Sequence, residues 1–134
     1  MTTTSLKPTT LQDLREAMHR EAFAYLKYRM FADAARGRGN TELAAIFERI
    51  ANVEWQEHFT EHAELAGLVG SDADNLRDAI EGENHETSVM YPQMALRANV
   101  ARDTEVSAHF REVCEDEAGH RDVFRSVLRD MKGE

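Results

Sequence analysis

The feature that most constrains this chain is an internal repeat. Leu14-Arg15-Glu16-Ala17 returns as Leu76-Arg77-Asp78-Ala79, an offset of 62 that also carries Glu21 onto Glu83. At an offset of 63, Phe47 and Glu54 map onto Phe110 and Glu117. Breakers are few and fall between the copies: Pro8-Thr9-Thr10, Gly37-Arg38-Gly39-Asn40, the stretch Gly67 to Asn75, and Asp103 as a helix cap. The spacing predicts helices over about 10–36, 41–66, 76–101 and 104–131. Pro92 falls inside the third and should kink it without ending it, because apolar spacing resumes at Met94. A helical hairpin repeated once in 134 residues leaves one solution, a single all-α domain built as a four-helix bundle with approximate two-fold symmetry.

Each predicted helix carries an apolar ladder of three- and four-residue steps, the pattern of a core-facing stripe. The fourth is the clearest: Val106, Phe110, Val113, Glu117, His120, Phe124, Val127, Met131. In all four helices glutamate interrupts the ladder near its middle: Glu21, then Glu54 and Glu57, then Glu83 and Glu86, then Glu117. An unpaired buried carboxylate costs several kcal/mol, so six converging ones need compensation by protons, arginines or metal. The stripes hold no arginine at that level, and shared protons could hardly neutralise so many. Hard cations held by carboxylate oxygens and an imidazole are the natural answer. Glu117-Ala118-Gly119-His120 supplies a Glu-x-x-His whose side chains lie a turn apart on one face.

Charge agrees with this reading. Acids outnumber bases 25 to 16, a net −9, which argues against a nucleic-acid or anionic-membrane partner. Setting aside the six interior glutamates leaves 19 acids against 16 bases, close to an ordinary surface. No apolar run suits a membrane span or a signal peptide, so a cytoplasmic location is expected. One cysteine, Cys114, excludes a disulfide framework and reads as a small core residue.

Three stretches carry a family resemblance: Glu21 with Tyr28, Ile50-Ala51-Asn52-Val53-Glu54, and Gly82-Glu83-Asn84-His85-Glu86 followed by Met90-Tyr91-Pro92. Together they resemble the rubrerythrins over roughly residues 10–131. The resemblance implies a ferritin-like di-iron site (Fe2+/Fe3+, with manganese or a mixed pair as variants). Glu54 and Glu117 would bridge the metals, with Glu21 and Glu86 on the first and Glu83 and His120 on the second. Glu86 would act in catalysis by following the oxidation state, and Tyr28 and Tyr91 by hydrogen-bonding ligands or bound peroxide.

Two departures stand out. A rubredoxin-like segment is missing from the sequence, so electrons are expected from a separate redox protein. In place of a first Glu-x-x-His stands Glu54-Trp55-Gln56-Glu57, with His58 one position on. Helical spacing makes Glu57 the counterpart of His120 and turns His58 about 100° away, so Glu57 is the expected ligand.

The expected reaction is reduction of hydrogen peroxide. An iron oxidase consuming O2 or peroxide and a non-catalytic bundle that binds a protein partner are the alternatives. The short linker after Ala66 implies a homodimer, with hairpins exchanged between copies as in some rubrerythrins.

Overall fold

The computed structural model describes residues 5–132, and four long helices account for nearly all of them. The first, α1, spans Pro8–Gly37 with its proline in the first turn, where a missing N–H costs nothing. The second, α2, is α-helical over Thr41–Val53, winds into a π-helix at Glu54–Phe59, and returns to α over Thr60–Ala66. The third, α3, repeats that construction: α over Asp72–His85, π over Glu86–Met90, α over Tyr91–Val100. The fourth, α4, is α-helical throughout Thr104–Lys132. No strand occurs among the described residues.

Local chemistry sets the ends. Asn40 accepts from the Leu43 N–H at 3.1 Å and starts α2. Ser71 does the same for Asp74 at 3.1 Å, which begins α3 at Asp72, four residues ahead of the expected start. Gly67 ends α2 in the left-handed region at φ +66°. The turns within the two hairpins match each other. Gly39 takes φ +82° before Asn40, and Arg102 takes φ +68° before Asp103, so one turn carries a side chain where glycine costs least.

The chain forms two compact units, α1 with α2 up to Val69 and α3 with α4 from Gly70. In the first hairpin Ala32, Ala35 and Ala44 form the buried seam, with Phe47 packed on it; small side chains let the two backbones approach. In the second, Ala95 and Ser107 stand at the same positions of the repeat as Ala32 and Ala44. The Ser107 hydroxyl, fully buried, donates to the Ala95 carbonyl at 2.7 Å and accepts from Arg111 at 2.9 Å. Each hairpin leaves large apolar side chains in water: Phe23, Leu26 and Met30 along α1, Val123, Val127 and Met131 along α4.

Candidate metal centre

Within the first hairpin, α1 contributes Glu21 and α2 contributes Glu54 and His58. The His58 Nδ1 lies 3.2 Å from a Glu21 oxygen and 3.4 Å from a Glu54 oxygen. One donor atom from each falls within 4.8 Å of the others, the spread a single cation can span. Glu21 and Glu54 share a hydrogen bond, which holds Glu21 below the usual carboxylate range and pushes Glu54 above it. Glu57 is not in this group; both it and His58 are exposed on α2, and it is the His58 ring that reaches the two carboxylates.

The reason is winding. An α-helix turns about 100° per residue, which puts a residue three positions on at about −60° and one four on at about +40°. A π-helix turns roughly 80° per residue, so those positions move to about −120° and −40°. The π stretch Glu54–Phe59 therefore swings Glu57 away from Glu54 and leaves His58 the nearer of the two.

In the second hairpin α3 contributes Glu83 and α4 contributes Glu117 and His120, again with donor atoms within 4.8 Å of one another. The His120 Nδ1 lies 3.4 Å from Glu117 and 3.8 Å from Glu83. Glu86 adds a third carboxylate, in hydrogen-bonding reach of Glu117 and Glu83, and burial pushes it above the usual range. Glu83 is pushed up to about 7 by its hydrogen bond to Glu117, then by burial and by the charges of Glu117 and Glu86. That hydrogen bond lowers Glu117. Glu83 Oε2 is buried without a hydrogen-bond partner. An orphaned carboxylate oxygen among like charges is stable only with a proton or a cation, and the donors present fit a hard or borderline metal.

The two hairpins obey one rule that sequence reasoning passed over. Glu21 maps onto Glu83 at 62, but Tyr28 maps onto Tyr91 and Ala32 onto Ala95 at 63. The slip falls at the π stretch of α3, which is one inserted residue. In the other helix pair the offset runs the opposite way, 63 for Glu54 and Glu117 but 62 for His58 and His120, across the π stretch of α2. That change of offset was the available signal for His58.

Tyr28 and Tyr91 pack alike, their ring centroids 5.9 Å from Phe47 and 6.0 Å from Phe110. Burial and the charges of Glu86, Glu117 and Glu83 raise the Tyr91 phenol, which places it beside the carboxylates. Cys114 donates its thiol to the Thr87 carbonyl at 3.3 Å.

Helical hairpins that each present two carboxylates and an imidazole within a cation's reach define an all-helical, metal-site class of protein. The Rubrerythrin family profile matches residues 13–128, and the chain belongs to the rubrerythrin family; its described residues are helical, with no strand. It is 33% identical to a rubrerythrin of Porphyromonas gingivalis, across 92% of this chain and 68% of that protein. It is 28% identical to nigerythrin of Nitratidesulfovibrio vulgaris, across 92% of this chain and 67% of that protein. A solved structure of fully reduced, all-ferrous nigerythrin aligns with 98% of this chain and 71% of its own, at 28% identity and a TM-score of 0.48.

Proposed function

We propose that this chain is a non-haem di-iron oxidoreductase that reduces hydrogen peroxide to water, with electrons from a separate redox protein. The observation that carries the reading is the repeated triad, Glu21–Glu54–His58 and Glu83–Glu117–His120, with Glu86 as an added carboxylate. These seven side chains would hold the two irons; Glu57, exposed, is left out. Iron bound there supplies two electrons and shares the charge that develops as the O–O bond breaks.

The chain's own groups handle the protons. Conversion of one peroxide to two waters consumes two electrons and two protons. In the metal-free site Glu83 is pushed up to about 7, so below that pH it would give up a proton on binding a cation. The Tyr91 phenol, kept neutral by its surroundings, could donate a hydrogen bond to peroxide entering the site; Tyr28 would be its counterpart.

Assembly follows from the linker. Five residues, 67–71, join α2 to α3. If α3 ran parallel to α2 in one chain, levelling Glu54 with Glu83 would need roughly 35 Å of travel at the helical rise. Six virtual bonds span only about 20 Å. We infer a homodimer in which each hairpin pairs with a hairpin of the partner, covering the apolar stripes of α1 and α4. No helix among the described residues is long and apolar enough to cross a membrane.

Stopped-flow spectroscopy of the anaerobic Fe(II)-loaded chain tests the reaction. Oxidation by peroxide should outpace oxidation by O2; equal rates would overturn the peroxidase assignment in favour of an iron oxidase.

A further inference from the structure

The π stretch of α2 decides which of two adjacent donors meets the metal site, so whatever holds that stretch sets the ligand. Thr60 stands where it ends. Its N–H goes to the Glu57 carbonyl, three residues back, and its hydroxyl donates to the Trp55 carbonyl, five back, at 2.9 Å. Five residues is the reach of a π turn, and here a side chain makes that bond. We propose that Thr60 is the positioning residue that selects His58 over Glu57. Its hydroxyl latches the π turn and presents an imidazole; without the latch the segment winds as an α-helix and presents the Glu57 carboxylate. The proposal rests on the metal-centre reading and adds to it the origin of the nitrogen donor.

Two features of the chain support it. At the repeat position of Thr60, α4 has Asp122, an acceptor that cannot donate to a carbonyl as a carboxylate and that accepts from Arg121 at 3.3 Å. There the helix stays α, and a three-residue spacing brings His120 to Glu117. The π stretch of α3 also has a carbonyl served by a side chain. Tyr91 N–H bonds the Glu86 carbonyl, five back, so the next π donor, for Thr87, falls to Pro92, which has no N–H. The Cys114 thiol takes that carbonyl at 3.3 Å, which gives the cysteine a structural use.

The consequence is a site of adjustable charge. With His58 the donors are five carboxylates and two imidazoles; with Glu57 they are six and one, a harder and more anionic set.

The test uses the full chain loaded with Co(II) and labelled on its histidine rings. Each ligating imidazole gives hyperfine-shifted ring signals. Wild type and Thr60→Ser should show two shifted imidazoles, and Thr60→Val one. Adding Glu57→Gln to Thr60→Val removes the competing carboxylate and should return the second imidazole, a recovery that a merely disordered helix would not give. Two shifted imidazoles in Thr60→Val alone, or one in the double variant, would overturn the latch. A wild type with no shifted imidazole would remove the metal-centre reading, and the latch with it.

Discussion

Replacing Glu83 with glutamine should make the metal-free protein more stable at alkaline pH while weakening metal binding. Glu83 is half-buried beside Glu117 and Glu86, and its carboxyl is pushed up from 4.5 to about 7. A folded-state value above the unfolded one means that its stabilising contribution is complete below pH 4.5 and is lost as pH rises through 7. The full span corresponds to roughly 3 kcal/mol at pH 8. Glu117, shifted the other way by the same hydrogen bond, returns part of it, so the net is smaller than that. A glutamine amide donates to Glu117 at every pH and carries no charge to repel. Chelator-treated Glu83→Gln should therefore melt about 6 °C above wild type at pH 8 and within a degree or so of it at pH 5. Circular dichroism melts at the two pH values measure this. An equal offset at both, or a variant less stable at pH 8, would refute the carboxylate-crowding argument.

Other consequences follow from particular residues. Arg102→Gly should stabilise the second hairpin by about 1 kcal/mol, because a side chain now sits at φ +68° where the matching turn has Gly39; chemical denaturation reads it. Ala44→Leu forces a large side chain into a fully buried position between α1 and α2 and should cost about 1–3 kcal/mol by the same measurement. Asn40→Ala removes the cap that accepts from Leu43 and should cost about 1 kcal/mol. If the proposed dimer forms by hairpin exchange, a flexible ten-residue insertion after Gly70 would let the hairpins of one chain pair with each other and should shift sedimentation toward monomer; an unchanged dimer would contradict exchange forced by the linker.

Much of this was legible in the residues. The repeat and the breakers gave four helices, because apolar spacing and caps act locally and Asn40, Ser71 and Gly67 do as their types suggest. The carboxylates Glu21, Glu54, Glu83 and Glu117 were legible because charges that interrupt an apolar stripe need a reason. Glu57 was the correction. Counting by α-helical spacing assumes uniform winding, and the π stretches of α2 and α3 each insert one residue that no propensity announces. The sequence has Pro92 kinking the helix without ending it, and the helix does run through it, after a π stretch and with a cysteine across the hairpin serving a carbonyl. Hydrogen bonds from side chain to backbone, such as Thr60 to Trp55, belong to the wound helix and cannot be counted along the chain.

The account stands on the proposal that each of the two triads holds a metal ion. Anaerobic Fe(II) titration of the chelator-stripped chain, with Glu54→Ala and Glu117→Ala alongside, tests this most directly. Wild type should take up two irons per chain and each variant fewer, with wild-type thermal stability rising at pH 8 as metal relieves the repulsion among Glu83, Glu86 and Glu117. Uptake of no iron by wild type, or equal uptake by all three, would contradict it.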